Sequence, residues 1–378
     1  MTKMTLQALA TAAAAHSGWI EQHLRELVEV ESPSEDRAAV NAAAALVAGW
    51  ARELKGRVKL HKQKEFGNIL KLCFGPRTGR PVLLLGHLDT VWSLGTLTQM
   101  PWREQDGRLY GPGVLDMKAG VVMALAAIKC LQEQKLSRPV QFLLVSDEEV
   151  GSPVSRHITE RVALEAEAVF VLEPAQGLAY KTARKGVGNY NLRVTGVAAH
   201  SGVDFESGHS AIREAARQIE IISAFTDLSR GLTVNCGVIE GGTRSNVIAA
   251  ECTVEIDVRI ARAADARLIE RQLRGLRATD PSCKLELTGG INRPPMERKA
   301  GTIRLFRQAR RLAAGLGFEL DEAATGGGSD GNFTAALGVP TLDGMGAVGA
   351  GAHAAHEHII AAELVPRTAL LAAMIANL

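Results

Sequence analysis

The ten residues PVLLLGHLDT (81–90) join an unbroken apolar run to a histidine and an aspartate. A continuous apolar run is typical of a strand that is covered on both faces of a sheet. The stretches VQFLLVSDEE (140–149) and AVFVLEP (168–174) have the same form. Apolar residues at helical spacing over 36–54 and 115–134 indicate helices beside these strands. This pattern predicts an α/β fold, with a mainly parallel sheet and helices on both of its faces.

The pattern changes near residue 185. From there to residue 291, strands of alternating polarity and two amphipathic helices follow the order β-α-β-β-α-β of a ferredoxin-like unit. We call residues 185–291 the inserted domain. A chain of 378 residues is also longer than one core usually supports. We therefore expect a main domain made of 1–184 and 292–378, interrupted by the inserted domain.

Composition argues against several classes of protein. Hydrophobic residues make up 46% of the chain and the formal net charge is +2, which indicates neither disorder nor a nucleic-acid partner. No apolar stretch approaches the length of a membrane span. The five cysteines lack CxxC spacing and indicate reduced thiols. The N-terminal residues continue into a helical pattern, so we expect a first helix and a cytoplasmic protein, with export left open.

Each of the three apolar strands ends in residues that can bind metals. They are His87 and Asp89 after the first strand, Asp147, Glu148 and Glu149 after the second, and Glu173 after the third. Ligands bind at the carboxyl ends of strands in open α/β sheets, so these side chains can converge. Asp116 adds a carboxylate at the start of the 115–134 helix, where it could equally be a helix N-cap.

Histidine and carboxylate ligands without cysteine suit Zn²⁺ or Mn²⁺. Several carboxylates favour two ions that share one bridging group, as in aminopeptidase-type hydrolysis. Such a site also needs a carboxylate that acts as a base without binding an ion. The pair Glu148–Glu149 can supply both kinds of carboxylate, because adjacent side chains at a strand end point in different directions.

Four motifs resemble those of a known family: GHLDTV (86–91), GPGVLDMKAG (111–120), VSDEEVGS (145–152) and VLEP (171–174). The chain resembles the di-zinc metallopeptidases, which include glutamate carboxypeptidase, aminoacylase, succinyl-diaminopimelate desuccinylase and peptidase T. The resemblance covers nearly the whole chain. It implies that the inserted domain is a lid that also forms a homodimer.

The resemblance implies a role for each residue in these motifs. His87 and Glu173 would be terminal ligands of opposite ions, Asp116 would bridge the ions, Glu149 would be a ligand, Glu148 would be the general base and acid, and Asp89 would orient the His87 imidazole. It also implies a cis peptide bond after Asp116.

The stretch GAHAAHEH (351–358) holds three histidines. The family pattern is a glycine run, a histidine, a short spacer and an acidic residue that opens the last helix. His353 follows the glycine run directly and Glu357 lies four residues further on. The resemblance therefore implies that His353 is the fifth ligand. His356 and His358 are expected where the helix begins, either exposed or in contact with its first turn.

Four residues at or near the inserted domain are candidates for the site, and two of them have a second interpretation. His200 could be an ordinary surface histidine, and Arg259, which alternates with Asp257 and Glu255 on its strand, could form salt bridges across the sheet. The resemblance implies instead that a partner subunit presents His200 to the reacting oxygen. It also implies that the substrate carboxylate is held by a set of polar side chains, namely Asn246, Arg259 and Arg293.

Two other classes of function are alternatives. GMGAVG (344–349) satisfies the G-x-G-x-x-G pattern of nicotinamide-dependent oxidoreductases, but too little chain follows it for a βαβ unit. A binding protein without activity would lack a ligand or a base, and every expected position is filled. We therefore predict a two-metal amidohydrolase that uses Zn²⁺, with Mn²⁺ or Co²⁺ as alternatives. Its substrate would be an N-acyl amino acid or short peptide with a free carboxylate, cleaved as by a glutamate carboxypeptidase, or alternatively by an aminoacylase or desuccinylase.

Overall fold

The computed structural model describes residues 5–378. Residues 1–4, at the start of the predicted first helix, lie outside this range. In chain order, the helices and strands up to residue 184 are α1 (Leu6–Ala15), α2 (Ser17–Val28), α3 (Arg37–Glu53), β1 (Arg57–His61), β2 (Ile69–Phe74), β3 (Val82–His87), β4 (Arg103–Gln105), β5 (Arg108–Tyr110), α4 (Ala119–Glu133), β6 (Val140–Val145), α5 (Arg156–Glu165), β7 (Ala168–Val171) and β8 (Tyr180–Arg184).

The remaining helices and strands are β9 (Gly186–Thr195), α6 (Ala211–Ser223), β10 (Thr233–Gly241), β11 (Glu251–Ile260), α7 (Ala263–Arg274), β12 (Lys284–Arg293), α8 (Ala300–Gly315), β13 (Glu322–Thr325), α9 (Gly331–Ala336), β14 (Thr341–Leu342), β15 (Gly349–Ala350), β16 (His358–Ile360) and α10 (Ala361–Ala376). No helix within residues 5–378 has the length and apolar character that a membrane crossing requires.

The chain forms two compact units. The first runs to Ala183 and resumes over Arg298–Thr325 and Ser329–Leu378. The second consists of Arg184–Glu297 together with the short loop Gly326–Gly328. The second unit therefore extends beyond the expected 185–291 and takes in a glycine-rich loop that is distant from it in sequence.

A six-stranded sheet in the order β1-β2-β6-β3-β7-β14 forms the centre of the first unit. Strands β6, β3, β7 and β14 are parallel, whereas β2 is antiparallel to β6, and β1 is antiparallel to β2. Side chains alternate between the two faces of a strand. Leu84 accordingly belongs to one buried cluster, with the helices around α4, while Leu83 and Leu85 belong to another, with α5. The mainly parallel sheet with helices on both faces is confirmed.

The second unit has the order β9-α6-β10-β11-α7-β12 that the sequence predicts. Its four strands form an antiparallel sheet in the order β10-β11-β9-β12. Alternate residues of β11, such as Val254 and Ile256, are buried with apolar residues of α6 and α7, and Glu255 on the other face is exposed. This one-sided burial explains the alternating polarity of these strands.

Three local predictions differ from the structure. The first helix is divided into α1 and α2. Helix α4 begins at Ala119, because Asp116 (φ −114°, ψ 93°) and Met117 have non-helical backbone angles, so Asp116 is not a helix N-cap. Helix α10 begins at Ala361, and His358 instead opens the short strand β16.

Candidate metal centre

The sheet brings the predicted ligands of the first unit to one edge. Strand β3 lies between β6 and β7, and all three run in parallel. His87 is the last residue of β3 and pairs in register with Val145 at the end of β6, so the chain after β6 carries Glu148 and Glu149 past it. Glu173 follows β7 in the same way. Their convergence follows from parallel strands that end at a common edge.

Asp116 lies at the centre of the cluster. Its Oδ1 is 3.2 Å from Nε2 of His87, and its Oδ2 is 3.5 Å from Nε2 of His353. Nε2 of His87 is also 3.6 Å from Oε1 of Glu173, and Nε2 of His353 is 3.3 Å from Oε2 of Glu149. The two oxygens of one carboxylate therefore face two separate imidazole–carboxylate pairs.

This arrangement corrects one expectation. His87 and Glu173 were expected to serve opposite ions, but the structure places their ligand atoms together, in a group that also includes Glu148. The ligand atoms of this group lie within 4.8 Å of one another. The reason is that β3 and β7 are direct neighbours in the sheet, so their ends deliver side chains to the same side of Asp116.

Asp89 connects His87 to the glutamate pair. Nδ1 of His87 lies 2.8 Å from the backbone oxygen of Asp89, while the Asp89 carboxylate is 3.6 Å away. That carboxylate accepts hydrogen bonds from the backbone N–H groups of Glu148 and Glu149, and from the hydroxyl of Ser34. Asp89 thus orients the His87 ring through its carbonyl, and its carboxylate holds the loop that carries both glutamates.

The close carboxylates shift the pKa values of both imidazoles. Burial opposes a charge on His87, but contacts with Asp116 and Glu173 raise its pKa well above the usual value. The carboxylates of Asp116 and Glu149 raise the pKa of His353 to about 10. Burial opposes ionisation of Asp116, yet its contacts with His353 and His87 lower its pKa. The cluster therefore favours positive charge at both imidazoles and negative charge at the shared carboxylate.

The donor set fits two divalent cations. Two imidazoles and four carboxylates surround a small volume, which is the ligand chemistry of Zn²⁺ and Mn²⁺ sites. Oε1 of Glu149 is buried and accepts no hydrogen bond from the described residues. An ion would supply the missing partner. The predicted cis peptide bond between Asp116 and Met117 is confirmed.

The three C-terminal histidines have different surroundings. His353 has a left-handed φ of 62°, which residues other than glycine rarely adopt and which often marks a functional site. It is the only one of the three with a described contact to Asp116 and Glu149. His356 is exposed, and His358 packs its ring against Tyr110.

The role of Glu357 was not predicted from the sequence, which marked it only as the acidic residue after His353. Its side chain is buried and accepts hydrogen bonds from Trp92 and from the backbone around Asp116. The spacing from His353 was a signal for the position. The donors come from elsewhere in the chain, and no local sequence pattern predicts these contacts.

His200 and Asn246 lie close to each other in the second unit, and both are exposed. The backbone N–H of Ser201 donates to the carbonyl of Asn246 at 3.0 Å. Nδ1 of His200 accepts hydrogen bonds from the backbone N–H groups of Gly202 and Val203. A neutral His200 therefore carries its proton on Nε2, which can act as a donor.

The two arginines differ in their surroundings. Arg259 donates to both oxygens of Asp257, the neighbour on its own face of β11, so this ion pair lies within one strand, whereas the salt-bridge interpretation placed it across the sheet. Arg293 is buried, donates to the side chain of Asn292, and packs against the loop at Gly328.

The nicotinamide-binding alternative is not supported. Residues 344–349 lead from β14 into the short strand β15, with no helix directly after the glycines. The fingerprint requires a tight turn into a helix whose N-terminus holds the pyrophosphate. Gly346 instead packs against the carbonyl of Leu172, where an added Cβ would lie 2.2 Å away.

The fold and the cluster together define a metal-dependent hydrolase. A profile of the family described as "Peptidase family M20/M25/M40" matches residues 83–377. The chain belongs to this family. Its enzymes use two divalent metal ions, as the ligand set around Asp116 predicts.

Individual proteins share this similarity over most of the chain. Carboxypeptidase G2 of Pseudomonas sp. (strain RS-16) is 29% identical over 362 residues, covering 93% of this chain and 86% of its own length. Acetylornithine deacetylase of Proteus mirabilis (strain HI4320) is 30% identical over 230 residues, which cover 57% and 59% of the two chains. The structure of the aminopeptidase PepT from Bacillus cereus has a TM-score of 0.79 at 21% identity and covers 95% of this chain and 98% of its own.

Proposed function

We propose that this protein is a two-metal amidohydrolase that cleaves the amide bond of N-acyl amino acids or short peptides with a free C-terminal carboxylate. The observation that carries this proposal is the position of Asp116, whose two oxygens face His87 on one side and His353 on the other. Glutamate is the proposed C-terminal residue. The name of the similar carboxypeptidase G2 supports the carboxypeptidase reaction.

The proposed metal is Zn²⁺. One ion would be held by His87, Glu173 and Asp116, and the other by His353, Glu149 and Asp116. When bound, the ions would polarise the amide carbonyl and lower the pKa of the attacking water. The positive charge of two ions would balance the negative charge of the four carboxylates, which the two imidazoles alone do not neutralise.

Glu148 is the proposed general base and acid. It lies beside His87 and Glu173, with its backbone N–H held by the Asp89 carboxylate. Glu149 faces His353 and Asp116, so the two glutamates of the pair take different roles. Glu148 would take a proton from the attacking water and give it to the leaving amine nitrogen, which breaks the C–N bond.

His200 is proposed to stabilise the oxyanion of the tetrahedral intermediate. Its fixed Nδ1 acceptor leaves Nε2–H as an exposed donor, which suits that task. We propose that a second copy of the chain supplies this residue, through a homodimer formed by the inserted domain. The exposed apolar side chains of Ile212, Val238 and Ile239 on α6 and the edge strand β10 support an interface there.

The substrate carboxylate is proposed to bind Asn246, Arg259 and Arg293. Guanidinium groups recognise carboxylates through two parallel hydrogen bonds. The guanidinium of Arg259 forms an ion pair with Asp257 in this structure, so the substrate carboxylate would compete with Asp257 for that guanidinium.

A deacylase is the second candidate. The similarity to acetylornithine deacetylase favours it, because removal of an acyl group from an amino acid uses the same bond cleavage. Aminoacylase and desuccinylase reactions belong to the same class. The cytoplasm is the proposed location, since all five cysteines are free thiols.

A substrate screen tests the proposal. The metal-free protein is supplied with Zn²⁺, Mn²⁺ or Co²⁺ and assayed against N-acyl-glutamates, N-acetyl amino acids and dipeptides, with a chelator as control. We expect metal-dependent hydrolysis that is fastest for N-acyl-glutamates. Faster release of acetate from N-acetyl amino acids would favour the deacylase. No metal-dependent hydrolysis of any substrate would favour a binding protein.

A further inference from the structure

Glu357 places a carboxylate at the meeting point of four hydrogen-bond donors. Its Oε1 accepts from the backbone N–H groups of Leu115 at 2.9 Å and Asp116 at 3.0 Å. Its Oε2 accepts from the backbone N–H of Gly113 at 2.9 Å and from Nε1–H of Trp92 at 2.8 Å. The side chain is almost fully buried, with 1% of its surface exposed. Both oxygens are thus fully engaged in a site that excludes water.

These donors connect the chain segments that carry three of the metal-binding residues. Trp92 lies in the loop that follows His87, the Gly113–Asp116 turn carries the shared aspartate, and Glu357 itself follows His353. One carboxylate therefore fixes the relative positions of segments that lie far apart in sequence. The hydrogen bond to the N–H of Asp116 acts on the backbone of the residue whose side chain faces both imidazoles.

We propose that Glu357 is a positioning residue of the two-metal centre, which holds Asp116 with one oxygen towards His87 and the other towards His353, the two places where the ions would be held. The inference rests on the proposed function, because it assumes that two ions bind. An ordinary loop anchor would affect folding alone, whereas a positioning residue affects the binding of both ions. A carboxylate is required because it offers only acceptors, and all four of its partners are donors.

The variant Glu357→Gln separates these two roles. The amide keeps the size of the side chain but turns two donor hydrogens towards N–H partners, which misplaces the Asp116 backbone. We expect the dissociation constants of both ions to rise by about 10–100-fold, the usual cost of removing a partner of a metal ligand. Titration calorimetry of the metal-free protein with Zn²⁺ alone measures both binding steps. Saturating Zn²⁺ should restore most of kcat, with KM unchanged.

The same titration can overturn the inference. Glu357 does not position the shared ligand if the Glu357→Gln variant binds both ions with the affinity of the unchanged protein. The same conclusion follows if the variant loses affinity for only one of the two ions. If instead the unchanged protein binds fewer than two ions, the proposed function fails as well. The two failures are therefore distinguishable.

Two further variants complete the experiment: one is a control, and the other tests the inference if Glu357→Gln does not fold. His356→Gln changes an exposed neighbour of Glu357 and should leave both affinities unchanged. Trp92→Phe removes one of the four donors, so it should weaken the binding of both ions in the same direction by a smaller factor. If Glu357→Gln does not fold, unchanged affinities in Trp92→Phe would overturn the inference.

Discussion

Nε2 of His353 lies 3.5 Å from Oδ2 of Asp116, although more than half of the chain separates the two residues. The contact completes the second half of the cluster, because the other oxygen of Asp116 faces His87. Of the histidines in the stretch 351–358, His353 is therefore the one with a described contact to this cluster, whose other members lie mainly at strand ends earlier in the chain.

Replacement of His353 and of His356 by alanine should have opposite consequences. His353→Ala removes a proposed ligand that contacts Asp116 and Glu149, so the protein should bind one ion instead of two and lose activity. His356→Ala alters an exposed side chain and should be nearly silent. Metal content measured by elemental analysis after dialysis checks both variants. The reverse result would mean that the ligand is His356, three residues further along the chain.

Glu148→Ala should keep both ions but lose nearly all turnover. Positioned acid–base catalysis is typically worth about 10²–10⁴-fold, so kcat should fall by that factor while metal content is unchanged. Glu149→Ala is the matched comparison and should lose an ion, because Glu149 faces His353. Retention of more than about a tenth of the rate in Glu148→Ala would show that another group is the base.

The strand ends could be predicted from sequence because the signal is local. Buried parallel strands read as unbroken apolar runs, and the polar residues after them fall at one edge of the sheet. His87, Glu149 and Glu173 were found in this way, whereas the choice of His353 among three histidines needed the family resemblance. The grouping of Glu173 with His87 was missed, because it depends on the neighbouring positions of β3 and β7 in the sheet.

The contacts of Glu357 could not be predicted from sequence for a similar reason. Its four donors belong to segments around Trp92 and Asp116 that no local pattern connects to it. The start of helix α4 was also misplaced, since the non-helical angles of Asp116 and Met117 are set by the site and not by helix propensity. Local rules fail here where tertiary contacts determine the backbone.

Metal binding should release protons and weaken as the pH falls. Asp116 and Glu149 raise the pKa of His353 to about 10, so the metal-free protein holds a proton there at neutral pH. An ion can bind only the neutral imidazole, so the ion that binds at His353 must displace that proton. Calorimetry at pH 8 in two buffers of different ionisation enthalpy measures the release. Binding heats that do not depend on the buffer would contradict the prediction.

The stability of the metal-free protein should change in the opposite direction with pH. A histidine whose pKa is raised in the folded state stabilises that state. This stabilisation is fully present below the unfolded pKa of 6.5 and is lost as the pH rises through about 10. We therefore expect the His353 contribution to the free energy of unfolding to decrease between these values. Urea unfolding of the protein and of His353→Ala at pH 6 and pH 10 checks this, since the difference between them should shrink at the higher pH.

Two helical glycines offer a matched test of how closely the site is packed. A Cβ added to Gly120 in α4 would lie 2.2 Å from the carbonyl oxygen of Leu172, the residue before Glu173. Gly120→Ala should therefore destabilise the fold by about 1–3 kcal/mol, the range for overpacking, and weaken metal binding through Glu173.

Gly49 in α3 has no atom within 4 Å of such a Cβ. Gly49→Ala should instead stabilise the protein by about 0.5–1 kcal/mol, because glycine is the poorer helix former. Chemical unfolding and metal titration of both variants check the pair. Equal effects in the two helices would show that the approach of α4 to Leu172 does not constrain the site.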